Sequence, residues 1–266
     1  MTLTLGPTAP FGRPTGGHLN VELPSTPAHL LFIHEHPRRL RGIVDGQVVI
    51  DSTRGVLLHE TRLLPRWYVP LADVRADLLR DSATRTHCPF KGDARHWSLQ
   101  VGDRLVEDAL WGYEEPLPGA AAIAGMVSAY TERWDRWLEE DEEVIGHPRD
   151  PFHRVDARRA TRHVTIRAAG LVLAETTSPV AVYETGLPVR WYVPLVDVRT
   201  DLLVRSGTTS LCPYKGVATY RSLSSGSTHL PDVAWEYVSP LPEALPALGC
   251  LAFDEAAGIT VEVRTA

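Results

Sequence analysis

The sequence contains 27 lysine and arginine residues, of which only Lys91 and Lys215 are lysine. Both stand fourth in one pentapeptide, CPFKG at 88–92 and CPYKG at 212–216, beside two of the three cysteines, Cys88 and Cys212. Arginine offers a planar fork of donors. Lysine offers a compact charge whose pKa falls on burial. A site that needs a point cation for a phosphate or carboxylate, or an amine nucleophile, selects lysine. The competing reading is a turn lysine whose stem lies over an aromatic ring while its head stays in water. For the cysteines the expectation is a small buried thiol. A nucleophilic cysteine needs a base or a helix N-terminus beside it, and His87 next to Cys88 has only Leu211 as its counterpart next to Cys212.

The elements around these residues are written twice. Sliding the sequence by 124 positions lays residues 60–92 on 184–216 with 21 of 33 positions identical and no gap. The same offset matches EDALWGYEEPLP to PDVAWEYVSPLP, Gly46 to Gly170 and Gly125 to Gly249. A period this long marks duplicated domains rather than a solenoid, whose units need their neighbours to bury a core. The doubled polar and aromatic positions are Glu60, Arg66, Tyr68, Trp111 and Tyr113, with Glu184, Arg190, Tyr192, Trp235 and Tyr237 in the second copy. Trp67, Asp73, Arg75 and Asp77 recur as well.

If RWYVP is a strand, Trp67 points away from the face shared by Arg66 and Tyr68. Glu60 then joins that face, and a buried Arg66–Glu60 pair is the structural explanation of both. Asp73 and Asp197 read as N-caps of a single helical turn. Asp77 reads as a solvated carboxylate rather than half of a metal site. The aromatics Trp67, Tyr68, Trp97, Trp111 and Tyr113 either pack the core or wall a flat ligand. His59 is replaced by Tyr183 in the second copy, and His96-Trp97 by Tyr220-Arg221. The connector adds His147, Arg149, Asp150, His153 and Asp156, expected at the surface or in a groove between the domains.

Strand signals dominate each copy. Asp45-Gly46 and Ala169-Gly170 sit between apolar runs as two-residue hairpin turns. Gly102 and Gly226 centre a second hairpin, and a last strand follows Gly125 or Gly249. The expected fold is mainly β: two tandem homologous small antiparallel domains, each a folded, sandwich- or barrel-like sheet of six to eight strands with short helical turns. The division expected is an N-terminal extension at 1–37, a first repeat at 38–131, a linker at 132–160 and a second repeat at 161–266. Within the linker, the spacing of Trp134, Trp137 and Leu138 predicts a short amphipathic turn or helix, and the acidic run after it is solvated.

With 44% apolar and 23% charged residues the chain has the composition of a globular protein with a sizeable core. Its net charge of −6 disfavours nucleic acid as a partner. No apolar run is long enough for a membrane span, and the N-terminus has no signal-peptide pattern. Three cysteines without CxxC spacing argue against a disulfide framework or a zinc ribbon and for the cytoplasm. There is no phosphate loop, dinucleotide fingerprint, nucleophile elbow or HExxH motif. No metal or cofactor is expected.

On the stretch RWYVPLADVRADLL…THCPFKG…WGYEEPLP, and on the connector DEEVIGHPRDPFHRVD, the chain resembles the bacterial family domain of unknown function 427 in its tandem actinobacterial form. The resemblance covers both repeats, and it implies a mainly β architecture. A nucleotidyltransferase-like label is sometimes attached to that family. The Gly-Ser and paired-Asp pattern of ordinary nucleotidyltransferases is not found here, and the resemblance carries over no catalytic residue.

The functional expectation is therefore built from the residues. A small anionic, partly aromatic ligand meets Lys91 and Lys215 as counter-charges and Arg66 and Arg190 as directional donors. Tyr68, Trp111, Tyr113, Tyr192, Trp235 and Tyr237 form the walls, and Glu60 or Glu184 transfers a proton if chemistry occurs. The alternative is a structural or protein-interaction module whose repeated motifs specify only the fold. Whether the chain is an enzyme, and its oligomeric state, are open at this point.

Overall fold

The computed structural model describes residues 29–265. The chain divides after Asp150 into two compact units. Each unit is antiparallel throughout and has one large and one small sheet.

In the first unit the seven-stranded sheet runs, in spatial order, Leu31–His36, Gly55–Glu60, Arg66–Pro70, Met126–Ala129, Arg104–Gly112, Gly92–Val101 and Leu79–Cys88. The smaller sheet is Glu142–Glu143, Arg136–Glu139, Leu40–Val44 and Gln47–Ser52. The turn joining the last two takes positive φ at Asp45 (50°) and Gly46 (70°), the two-residue geometry that Asp-Gly favours. Ala169 (47°) and Gly170 (79°) repeat it in the second unit. There the large sheet runs Val155–Arg159, Val180–Glu184, Arg190–Pro194, Cys250–Phe253, Thr228–Tyr237, Gly216–Ser225 and Leu203–Cys212. Its companion is Leu171–Thr176, Arg162–Ala168 and Thr260–Thr265. None of these sheets closes into a barrel.

Strand alternation gives each large sheet two lined faces. In the first unit Leu57, Trp67, Val69, Leu99 and Val127 bury one face against Leu40, Ile50, Trp134 and Trp137 of the smaller sheet and its flank. The next residues along the same strands, Leu58 and Tyr68, point the other way and join Ala94, Tyr113, Ala120 and Ile123 in a separate cluster. The short 3₁₀ turn Pro118–Ile123 supplies the last two of these. The second unit repeats both layers, with Tyr192 and Tyr237 in the outer cluster.

Three expectations are corrected. The expected linker opens with the strand Arg136–Glu139, which pairs with Leu40–Val44 as the last strand of the first repeat. Thr260–Thr265 occupies the matching place in the second unit. Trp134 and Trp137 therefore do not mark a helix. Trp134 follows a 3₁₀ turn, Trp137 lies in the strand, and both rings pack over Gly42, where an added Cβ would stand 2.7 Å from the Trp134 ring. The expected extension and linker also end in strands, since Leu31–His36 and Val155–Arg159 are edge strands of the two large sheets. The part of the extension before residue 29 lies outside the described residues. Finally, the units hold more strands than six to eight, because the polar edge strands Leu79–Cys88 and Leu203–Cys212 carry no apolar alternation.

Candidate functional site

At the end of the strand Gly55–Glu60 a buried carboxylate is held from both sides. Glu60 accepts a hydrogen bond from Lys91 Nζ on Oε2 and lies 3.0 Å from His29 Nε2 through Oε1. In the second unit Lys215 Nζ donates to Glu184 Oε2 at 2.5 Å, and His153 Nε2 lies 3.0 Å from Glu184 Oε1. The same three side chains thus meet through the same atoms in both units. Glu60 and Lys91 are 5% and 6% exposed, so the reading of a lysine head in water is excluded.

Local sequence explains the convergence. Thr61, next to Glu60, clamps the residue after the histidine: Leu30 N–H donates to Thr61 Oγ1 at 2.9 Å, and Thr61 N–H donates to Leu30 O at 3.1 Å. Thr185 does the same for Arg154. The Glu-Thr pair therefore fixes the histidine twice, by side chain and by backbone. Lys91 lies in the turn between two strands, its N–H bonded to Cys88 O, and its carbonyl accepts from Leu117 of the PLP segment at 3.0 Å. Gly92 follows with φ 102°, and a Cβ there would approach Glu115 O to 3.4 Å. At Gly216, φ 104°, the same Cβ would come within 3.1 Å of Ser239 O. Glycine after the lysine is thus a requirement of the left-handed backbone and the close approach of the PLP segment.

This geometry accounts for lysine at the two positions. One carboxylate serves two donors, one per oxygen. An ammonium takes a single oxygen, whereas an arginine fork matches both oxygens of a carboxylate and would compete with the histidine. Because a carboxylate only accepts, the histidine Nε2 carries the proton, which leaves Nδ1 as the exchangeable nitrogen in the neutral ring. His153 Nδ1 is buried without a hydrogen-bond partner. The His29 side chain is 22% exposed and stacks on Phe90 with ring centroids 3.5 Å apart. Burial alone would raise the Glu184 carboxyl. The hydrogen bond from His153 and the charge and hydrogen bond of Lys215 outweigh it, and its pKa lies below the ordinary value.

Tyr68 and Tyr113 lie near this triad, with Cys88 against the same cluster. Burial drives the Tyr68 and Tyr113 phenols well above the ordinary tyrosine value, as it does those of Tyr192 and Tyr237. Trp235 Nε1 donates to Tyr192 OH at 3.2 Å, and Trp111 bonds Tyr68 in the first unit. Arg66 and Arg190 lie over the Trp111 and Trp235 rings at 5.9 and 5.2 Å. Most of these tyrosines are walled into the outer cluster, while Trp111, Trp235, Arg66 and Arg190 are half-buried.

Several local readings change. Glu60 pairs with Lys91 and His29 rather than with Arg66. Asp73 does not cap a turn: it accepts from Ser52 Oγ at 2.6 Å and from Arg54, and Asp197 accepts from Thr176 Oγ1. Asp77 and Asp201 are gripped bidentately by Arg75 and Arg199. Trp67 is a core residue between the sheets. His87 pairs with Asp93 at 2.6 Å. His59 is fully buried against His34, their Nε2 atoms 3.0 Å apart, while Tyr183 is 48% exposed. His96 reaches Thr86 and Tyr220 reaches Ser210, so different residue types preserve one cross-strand hydrogen bond. Arg221 pairs with Glu236 where the first unit sets Trp97 over Gly112. Of the connector residues, Asp156 is tied to Arg154 and Arg158, and His153 belongs to the triad.

His29 is the functional candidate that sequence reasoning missed. The signal existed, since the 124-residue offset also lays Pro27 and His29 on Pro151 and His153. Among the described residues, no group of three or more His, Cys, Asp and Glu side chains is arranged to hold a metal ion.

The family model for domain of unknown function 427 matches residues 32–140 and 156–264. The chain belongs to this family. Both matched segments follow the division by strands rather than the linker first expected, and each contains one Glu–Lys pair. The histidines lie just outside both segments, at 29 and 153. No curated protein matches the chain. Among the described residues no helix is long and apolar enough to cross a membrane.

Proposed function

We propose that each unit binds a small anionic, partly aromatic molecule, of the nucleotide, sugar-phosphate or carboxylate class, and that its His–Glu–Lys triad handles a proton beside it. One observation carries this reading: a largely buried three-residue array is kept atom for atom in both units. The array revises the roles first expected of its members. Lys91 and Lys215 are each paired with the carboxylate of the triad, so they do not serve as the ligand's counter-charge. Glu60 and Glu184 orient the imidazole, as a carboxylate orients histidine in hydrolytic triads. The exchangeable proton then belongs to the histidine. Counter-charge for the ligand comes from Arg66 and Arg190, each over an indole that offers a flat wall. The cytoplasm is the proposed compartment, in keeping with three cysteines that form no disulfide.

The depth of Glu60 and Lys91 favours a second reading, in which the triad is a structural pin and the units are interaction modules. Thermal-shift measurements with nucleotides, sugar phosphates and carboxylates separate the two. The expected result is stabilisation by one class, weakened in His29→Gln/His153→Gln, a protein that itself still folds. A triad variant that only unfolds, with no ligand class stabilising the parent chain, overturns the binding reading. Unchanged binding in Lys91→Arg/Lys215→Arg overturns its lysine-specific part.

A further inference from the structure

The first unit holds a second cluster of ionisable side chains that the triad does not use. His34 of the edge strand Leu31–His36 and His59 of the strand Gly55–Glu60 face each other, their Nε2 atoms 3.0 Å apart. The other nitrogen of each ring also meets an oxygen. His34 Nδ1 lies 2.8 Å from the carbonyl of Glu35, and His59 Nδ1 lies 3.6 Å from Asp150 Oδ2. His59 and Asp150 are 0% and 3% exposed.

These contacts fix the protons. A carbonyl only accepts, so His34 Nδ1 carries a proton, and the carboxylate favours one on His59 Nδ1. Two neutral rings have no others, and their Nε2 lone pairs would then face each other. Moving a proton onto either Nε2 only transfers the mismatch to the carbonyl or the carboxylate. One extra proton, placed between the Nε2 atoms and balanced by Asp150, satisfies every contact. Two extra protons oppose two N–H donors and two like charges across the same short gap.

Asp150, from the connector, and His34 are the groups whose charge acts on His59. Burial outweighs Asp150 there, and the His59 pKa lies below its ordinary value. His36, two residues after His34 on the same face, lies 3.4 Å from Glu139 with Arg38 and Glu140 nearby. Strand alternation turns Glu35 and Glu60 to the opposite face. The second unit has no such pair. Arg158 stands at the position of His34 and pairs with Asp156 at 2.7 Å, and the exposed Tyr183 stands at that of His59.

We infer that His34, His59 and Asp150 form a proton-binding site of the first unit that holds one shared proton, and that a second proton opens it and frees the edge strand Leu31–His36. That strand follows directly on His29 and on Leu30, the residue that Thr61 clamps. Its release withdraws His29 from Glu60, so the site sets an acid limit on the first triad. The unfolded chain accepts both protons near the ordinary histidine value of 6.5, whereas the folded pair accepts one. The hold on this strand therefore weakens as pH falls below that value. The inference goes beyond the binding reading and uses none of its ligand contacts.

The test is a pH titration of the full-length protein carrying ¹⁵N-histidine, from about pH 8 to about pH 4.5, with and without EDTA. The imidazole nitrogens are assigned by His34→Gln and His59→Gln, and amide hydrogen exchange follows the edge strand in the parent chain. The Nε2 resonances of His34 and His59 are expected to move together along one curve that accounts for one proton. The amides of Leu31–His36 then lose protection as the second proton enters, ahead of global unfolding. Asp150→Asn removes the balancing charge and moves the shared step to lower pH by about one unit. His34→Arg, which adopts the residue of the second unit, abolishes the shared step. Glu60→Gln leaves it in place, so failure of this site and failure of the triad reading are told apart. Two separate one-proton steps with the edge strand still protected, or no proton taken up before global unfolding, overturn the inference. So does a step unmoved in Asp150→Asn, or spectra that change with EDTA, which would make the shared cation a metal ion.

Discussion

Replacing Lys91 by Met removes one half of a pair whose side chains are 8% and 6% exposed and strands the Glu60 carboxylate in the core. Breaking a buried ion pair in this way costs about 3–5 kcal/mol, chiefly through the uncompensated charge rather than the lost attraction. The pair sits in a unit that ends at Asp150. For a domain of that size each kcal/mol moves the midpoint by about 2–4 °C, so the transition of the first unit should fall by roughly 6–20 °C. Lys91→Arg keeps the charge and fits the site poorly, with an expected loss of about 1–2 kcal/mol. The diagnostic variant is Glu60→Gln/Lys91→Met, in which neither partner is charged. Because replacing both members of a buried pair is often near neutral, it should recover to within about 1.5 kcal/mol of the parent. Calorimetry and urea denaturation of the full chain measure the parent, Lys91→Met, Glu60→Gln and the double variant as a double-mutant cycle. A loss below about 1 kcal/mol for Lys91→Met, or a double variant as unstable as the sum of the singles, would refute the reasoning that Glu60 depends on Lys91 as its buried partner.

Two further predictions concern pH. The Glu184 carboxyl lies below its ordinary value of 4.5 in the folded chain, so its contribution is fully present above that value and is lost as pH falls through the lower folded value. The stability gap between the parent and Glu184→Gln, measured by denaturant titration, should be widest near neutrality and close in acid; a gap that is constant from pH 7 to pH 3 contradicts the assignment. At the alkaline end, Tyr68, Tyr113, Tyr192 and Tyr237, four of the eight tyrosines, have phenols that burial keeps protonated. The unfolded chain ionises first, stability falls as pH rises above about 10, and the phenolate absorbance of these four should appear only with unfolding. Reversible ionisation of all eight near pH 10 with native near-ultraviolet dichroism contradicts it.

Elements that bury one face and turn on glycine were legible in the sequence. The hairpins at Asp45-Gly46 and Ala169-Gly170 were read from a local rule, since only the turn's own φ angles are involved. The opposed faces of Trp67 and Tyr68 followed from period-2 alternation, and the two residues do belong to different clusters. The edge strands escaped for a physical reason. Leu79–Cys88 is paired on one side only and exposes most of its side chains, so it has little apolar pattern to read. Trp134 and Trp137, three residues apart, suited a helix equally well. What decided against it was Gly42, whose bare backbone admits both rings between the sheets.

The candidate site divides in the same way. Glu60, Lys91 and their copies stood out through residue choice and repetition. Their partnership did not, because two 31-residue separations, His29 to Glu60 and Glu60 to Lys91, close only when three strands and a turn are assembled.

By itself the amino-acid sequence determined that one domain is written twice, that it is built of antiparallel strands, and that two lysines are kept where arginine would be the default. Those properties reside in local pattern and self-comparison. Only the tertiary structure decided which carboxylate each lysine meets and that a histidine shares it. It also decided that the third and fourth strands of the large sheet pair over three residues in the second unit and over two in the first. These depend on strand order and register, which bring together side chains distant along the chain.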